Sequence, residues 1–312
     1  MLAESKASDK LWNNKMANSH KLPDSVIIFG CGYVGTALAR YLRARGVRVG
    51  ALTRNPEQAA ALRELGLDEV VVAELDAHEW HTRVVGRYQA VVNCVSSGGG
   101  GLAGYRKSYL AGQQSILDWA RSQSIDSYVY TSSTSVYPQD GGVTVDEAVD
   151  TNGAPATGQV LLESEALLAA AADLPNWYVL RLAGIYGPGR HYLLDQVRTA
   201  RGEIPGRGDY ALNMIHREDI VAAIVAVITG SAPAGIYNIA DDTPTLKAEV
   251  LHYLAEQLGL PAPVFNPENV SERLRRRGGR MPHRWISNKK ARKALDWCPK
   301  FPSFREGYAE LL

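Results

Sequence analysis

The sequence predicts an α/β fold: a Rossmann-like, doubly wound parallel sheet with a smaller C-terminal substrate lobe. Three observations predict it. Short apolar runs without alternation recur up to Leu182, as strands buried on both faces require. Amphipathic stretches of helical period separate them. A glycine-rich turn joins the first run to the first helix. A βαβαβ order of this kind implies parallel strands with helices on both faces.

The elements follow in order. Residues 1–22 are polar and aperiodic and read as a flexible N-terminal extension. Ser25 to Phe29 is the first strand, Val47 to Leu52 the second and Val70 to Val72 the third. Ala90 to Val95, Tyr128 to Thr131 and Trp177 to Leu182 are the next three. Tyr33 to Arg45 is a helix with Val34, Leu38, Tyr41 and Leu42 on one face. Tyr105 to Arg121 presents Tyr109, Ile116, Leu117 and Ala120. Leu161 to Ala172 is rich in the helix formers Leu and Ala. These elements make a dinucleotide-binding domain over residues 23–183. Glycine, proline and arginine then cluster between Gly184 and Gly208, and residues 184–312 read mostly as a C-terminal lobe, partly returning to the core. In it, Asp219 to Thr229 and Thr245 to Leu258 are helical and Gly235 to Ile239 is a strand.

The glycine turn carries the chemistry. Gly30-Cys31-Gly32-Tyr33-Val34-Gly35 is a G-x-G-x-x-G placed directly between strand and helix. Gly30 allows a tight turn, Gly32 lets backbone approach a pyrophosphate, and Gly35 lets helix pack on strand. The helix N-terminus adds free N–H groups and a positive dipole end. Gly99 and Gly104 have P-loop separation, but Tyr105 stands where lysine is required, and Lys107-Ser108 comes two residues late. At the end of the second strand, Leu52-Thr53-Arg54-Asn55 has no carboxylate to bind a ribose 2′-hydroxyl. Arg54 suits a 2′-phosphate, with Thr53 or Asn55 as further donors. The expected cofactor is therefore NADP, with NAD as the alternative.

Other features narrow the class. Lys plus Arg number 34 and Asp plus Glu 33, so no net charge draws the chain to nucleic acid or an anionic membrane. No apolar run is long enough for a bilayer span. Cys31, Cys94 and Cys298 form neither a zinc pattern nor a disulfide framework, which points to a reducing, cytoplasmic setting. His78-Glu79-Trp80-His81 does not meet the H-E-x-x-H spacing, so no metal is expected. The arginines between Arg273 and Arg280 read as a solvated loop. The glycines at 98–101 read either as a mobile loop or as a place where backbone approaches the cofactor.

Several motifs in order extend this reading. They are Asp76 after the third strand, Val92-Asn93-Cys94-Val95-Ser96, Tyr130-Thr-Ser-Ser-Thr-Ser-Val-Tyr137, and Arg181-Leu-Ala-Gly-Ile-Tyr-Gly-Pro-Gly-Arg190. Ile215-His216-Arg217-Glu218-Asp219 and Tyr237-Asn238 follow. Together they resemble the extended short-chain dehydrogenase/reductases, the NAD-dependent epimerase/dehydratase family, and within it an atypical YeeZ-like group. The resemblance implies that Gly30, Cys31, Gly32, Tyr33, Val34 and Gly35 hold pyrophosphate and that Asp76 contacts adenine. It implies that Asn93, Cys94, Val95 and Ser96 line the cofactor, and that Ser133 with Thr134 polarises a substrate oxygen. Tyr186 and Arg190 then face a small-molecule substrate such as a nucleotide-sugar. A homodimer through Tyr105–Arg121 and Thr157–Ala172 is the implied assembly.

One part of the family pattern is missing. Its Tyr and Lys, four residues apart on one helix face, align with Thr157 and Leu161. A threonine hydroxyl is too weak an acid for the tyrosine's task, and such acid/base help is typically worth about 10²–10⁴-fold in rate. Tyr137 is the first-choice substitute acid, with Tyr186, His191 and His216 behind it. The function expected is an atypical NAD(P)-dependent oxidoreductase acting on a small polar carbonyl or hydroxyl compound. A non-catalytic NADP sensor or scaffold, and an isomerase or lyase without net redox change, are the rival readings.

Overall fold

The computed structural model describes residues 21–312 apart from 175, 201, 231, 271–274 and 276–280. The N-terminal extension, but for its last two residues, and most of the arginine-rich run lie outside the described residues.

Seven parallel strands form the central sheet: β1 (Ser25–Phe29), β2 (Arg48–Thr53), β3 (Glu69–Val72), β4 (Ala90–Asn93), β5 (Ser127–Ser133), β6 (Trp177–Leu182) and β7 (Gly235–Ile239). Their order is β7-β6-β5-β4-β1-β2-β3. The chain builds outward from β1 on one side and then restarts at β4 on the other. The point of reversal therefore lies between the carboxyl ends of β1 and β4, where ligands of open α/β sheets sit. Register ties the rows: Phe29 pairs Leu52 and Asn93, Ser133 pairs Leu182, and Leu182 pairs Ile239.

Two apolar layers cover the sheet. On one face α1 (Tyr33–Arg43), α2 (Pro56–Glu64) and α6 (Arg217–Thr229) bury Leu38, Leu42, Leu62, Ile220 and Ile224 against Val26, Ile28 and Val49. On the other, α3 (Gly112–Ala120) packs Ile116 and Trp119 against Phe29 and Trp80, whose rings meet edge-on. The helix α4 (Ala156–Ala169) lies beside α3. A third apolar cluster belongs to the C-terminal lobe: Leu194 and Val197 of α5 (Tyr192–Thr199), Val250, Leu251 and Leu254 of α7 (Lys247–Gln257), and Phe304 and Tyr308 of α9 (Phe304–Ala309). The short α8 (Lys289–Ala294) packs against β7.

The differences from the periodicity reading have local causes. The strand expected to run to Val95 stops at Asn93, because Asn93 Oδ1 accepts the Val95 N–H at 3.0 Å and turns the chain. The helix expected from Tyr105 begins at Gly101 and passes through a π-spaced stretch, Arg106–Ala111. That stretch shifts the phase of the following turns. α2 has only Ala59 and Leu62 buried, so its apolar stripe is too short to read. It is started instead by Asn55, whose Oδ1 caps the Glu57 and Gln58 N–H groups. Among the described residues no helix is long and apolar enough to cross a membrane.

Candidate functional site

The cleft at the β1–β4 reversal is built by backbone shape. Gly30 has φ +72°, and a Cβ there would lie 2.5 Å from Val95 Cα, so only glycine lets the two strand ends close together. Gly32 is exposed, with the Gly30 carbonyl 3.9 Å from where a Cβ would stand, and it precedes α1 without a side-chain cap. The first-turn N–H groups of α1 are thus left for a ligand. Gly35 packs against Ile28 and the Gly30 carbonyl. The cavity beside this turn is about 310 Å³ and includes Thr53, Arg54, Asp76, Val95 and Ser96 in its wall.

Several predicted contacts of this cleft fall into the core instead. Cys31 is wholly buried, and burial pushes its thiol up to about 12, so only its backbone is offered to a cofactor. Val34 is also buried. Asn93 Nδ2 donates to Gln113 Oε1 at 2.6 Å and its Oδ1 takes the Val95 N–H, which makes it a structural pin. Burial raises the Cys94 thiol to about 12 as well. Thr53 Oγ1 accepts the Asn55 N–H and Asn55 Oδ1 caps α2, which leaves the Thr53 hydroxyl proton and the Asn55 side-chain amide as donors on the cleft wall. The side chain of Tyr33 leaves the motif altogether. Its hydroxyl donates to the Pro188 carbonyl at 3.1 Å, and Arg190 and Arg217 lie over its ring.

Arg54 stands exposed at the cleft with no ion-pair partner among the described residues. Its guanidinium lies where a Cβ of Gly98 would be, so Gly98 makes room for a side chain, a role neither reading of the four glycines anticipated. Sequence reasoning also missed two wall residues. Gln58 Nε2 donates to the Cys31 carbonyl and Thr36 Oγ1, stapling α2 to the glycine turn. Lys107 pairs with Glu74 and Asp76 at 3.5 Å each. Neither has a motif that would have announced it.

At the carboxyl end of β5, Ser133 Oγ accepts the Ser135 N–H at 3.1 Å, which leaves its own proton free to donate. Thr134 Oγ1 donates to the Leu182 carbonyl. Gly158 lets α4 pack onto this turn, with its Cβ position 3.1 Å from the Ser135 carbonyl. Thr157 is half-buried beside it, whereas Leu161 is sealed in the apolar core.

Tyr137, the expected substitute acid, is not brought to the site. It is 1% exposed; its hydroxyl donates to Asn238 Oδ1 at 2.7 Å and accepts from Arg181 Nη1 at 3.0 Å. Burial raises its pKa although Arg181 opposes the shift. His216 is also fully buried, with burial pulling its pKa down to about 3, and its Nδ1 accepts the Glu218 N–H at the start of α6. His191 Nδ1 sits 2.9 Å from Asp195 on α5.

A model of the NAD dependent epimerase/dehydratase family matches residues 26–240. The chain belongs to that family. Protein YeeZ of Escherichia coli K12 is 31% identical over 245 residues, covering 77% of this chain and 86% of YeeZ. A 3-diazoavenalumate denitrifying reductase of a Streptomyces species is 31% identical over 310 residues, covering 90% and 98%. A functionally unknown conserved protein of Silicibacter pomeroyi has the same fold, with TM-score 0.74 at 27% identity over 92% of this chain and 97% of that one. The family's description names NAD, which supports a nicotinamide cofactor for its members.

A second cavity of this epimerase/dehydratase family member lies in the C-terminal lobe, about 280 Å³ in volume. Tyr186 and Arg190 both line it. Tyr186 is buried, stacked on Tyr308 at 4.9 Å and packed over Gly307, where a Cβ would overlap its hydroxyl. Arg190 is exposed and closes the tight Gly187–Arg190 turn. Because Arg190 and Pro188 both touch Tyr33, the wall of this cavity is joined to the helix that opens the cofactor cleft.

Proposed function

We propose that this protein binds NADP in the cleft at the glycine turn and uses it to reduce or oxidise a carbonyl or hydroxyl group of a small molecule seated toward the C-terminal cavity. The observation that carries the reading is Arg54: an exposed guanidinium on the cleft wall, without an ion-pair partner among the described residues, where β2 ends without a carboxylate. A 2′-phosphate would satisfy it with charge-assisted hydrogen bonds. Gly32 and the first turn of α1 hold the pyrophosphate, and Asp76 lies toward the adenine end. The bound dinucleotide supplies or accepts the hydride. Ser133 Oγ–H donates to the substrate oxygen and so disperses the charge that develops there.

The test is titration of the protein with NADPH and NADH, followed by fluorescence. Arg54→Ala should weaken NADPH by roughly 10–100-fold, the value of losing one charged hydrogen-bonding group at about 1.5–3 kcal/mol. NADH affinity should stay unchanged. A preference for NADH in the unmodified protein overturns the NADP assignment. Ser133→Ala should abolish turnover and leave NADPH affinity intact.

A second reading rests on Leu161. A buried leucine supplies no ammonium at the position that the family resemblance assigns to the catalytic lysine, which favours a cofactor-binding sensor without turnover. NADPH binding with no reduction across a carbonyl panel would select it.

A further inference from the structure

Lys247 is the feature that the cofactor chemistry does not use. It opens α7, is 6% exposed, and lines the C-terminal cavity. Among the described residues its ammonium has neither a hydrogen-bond acceptor nor a carboxylate. Only the rings of Tyr210 and Phe265 flank it, at 5.7 and 5.4 Å. A buried ammonium without a partner is unfavourable. Among the described residues no aspartate or glutamate lines the cavity to relieve it. The other cations there are differently placed: Arg207 is paired with Asp209, and Arg190 stacks on Tyr33 at the surface. Gln196 Oε1, a second buried polar atom of the same wall, also lacks a partner. The rest of the lining is mainly aromatic and aliphatic, with Tyr186, Tyr308, Leu193, Leu212 and Met214 among it.

We propose that the C-terminal cavity is a subsite for an organic acid with an apolar or aromatic body, whose carboxylate pairs with Lys247. This inference rests on the proposed function in taking the cavity as the substrate's seat, and it changes the expected substrate. A nucleotide-sugar presents many hydroxyl groups, more than the few polar side chains of this wall can pair, and those left over would be desolvated without a partner. A carboxylate on an apolar frame meets one buried cation and apolar surface. It supplies the missing counter-charge, while its body displaces water from the aromatic lining. Burial pulls the Lys247 pKa down to about 8, and an anion in contact would raise it again.

The test uses the full chain and three probes: 3-phenylpropionate, its neutral amide 3-phenylpropanamide, and UDP-glucose. Calorimetric titration should give binding of the acid at least about tenfold tighter than the amide, the scale of one charged hydrogen bond. The acid should also bind tighter than UDP-glucose. Lys247→Met keeps the length of the side chain and should erase the preference for acid over amide, with NADPH titration unchanged. Equal binding of acid and amide, or tighter binding of UDP-glucose, overturns the proposal. A second measurement needs no variant. Brief acetic anhydride treatment at pH 7.5, read by peptide mass spectrometry, should label Lys247, and 3-phenylpropionate but not the amide should protect it. Labelling indifferent to the acid refutes the subsite. Failure of NADPH to bind would overturn the cofactor reading and is registered separately, since the acid titration is done without dinucleotide.

Discussion

Arg181 and Lys247 are both buried cations, and their surroundings could hardly differ more. Arg181, on β6, is 3% exposed and fully engaged. Its Nε and Nη2 meet the Glu165 carboxylate at 2.6–3.2 Å, and its Nη1 donates to Tyr137. Ser132 Oγ donates to the same carboxylate at 2.6 Å, and Asn238 takes the Tyr137 proton. Burial alone would lower the Arg181 pKa, but Glu165 and Tyr137 more than offset it. Lys247 has no such company, and burial acts on it unopposed. A polar network closed on itself joins β5, β6, β7 and α4 and leaves nothing for a ligand to add. A cation that opens on a cavity wall keeps its hydrogen bonds available to what enters the cavity.

That contrast can be broken by mutation. The largest effect should come from Glu165→Ala, which strands the Arg181 charge in the core. Loss of one partner of a buried pair typically costs about 3–5 kcal/mol, and urea unfolding should show a drop of that size. A loss below about 1 kcal/mol would mean that Arg181 finds another partner and that the network is not closed. Tyr137→Phe should cost less, about 1–2 kcal/mol, by leaving Asn238 and Arg181 each one partner short. It should not change NADPH affinity or any turnover found. A variant that folds normally but loses turnover would restore Tyr137 as the acid.

The third effect is a slope with pH. Burial raises the Asp241 carboxyl to about 8, against one hydrogen bond from the Thr243 N–H, and its Oδ2 has no partner among the described residues. The unfolded chain ionises this group near pH 4. Between those values the unfolded state is the one that has released the proton, so the stability of the neutral form is present below about pH 4 and is lost as pH rises toward 8. Asp241→Asn should remove this contribution. Unfolding at pH 5 and pH 8 should show the variant gaining on the parent at the higher pH. Parallel curves would show that Asp241 is already ionised in the fold.

How much of this was legible in the sequence depended on distance along the chain. The β1–Gly30–α1 unit spans fewer than twenty residues, and each of its glycines has a local reason that motif spacing reports. Strands buried on both faces announce themselves as apolar runs, which is why the six strands up to Leu182 and the returning strand at Gly235 were readable. Side-chain orientation was less so. Cys31, Asn93 and Cys94 lie inside motifs that the family resemblance assigns to the cofactor, yet their side chains turn inward. A motif specifies a backbone path and not where each side chain points.

The amino-acid sequence by itself determined the parallel sheet, the glycine turn and the absence of a carboxylate after β2, because these follow from period, spacing and residue type within single elements. Tertiary structure alone decided which polar groups are closed off and which are open. Tyr137 is silenced by Asn238, 101 residues away, and Arg181, 44 residues away. Lys247 opens on a cavity and is flanked by the rings of Tyr210 and Phe265, which come from other segments of the chain. Burial and pairing are properties of the packed neighbourhood, and a residue's chemistry at a site is set by the partners that packing supplies or withholds.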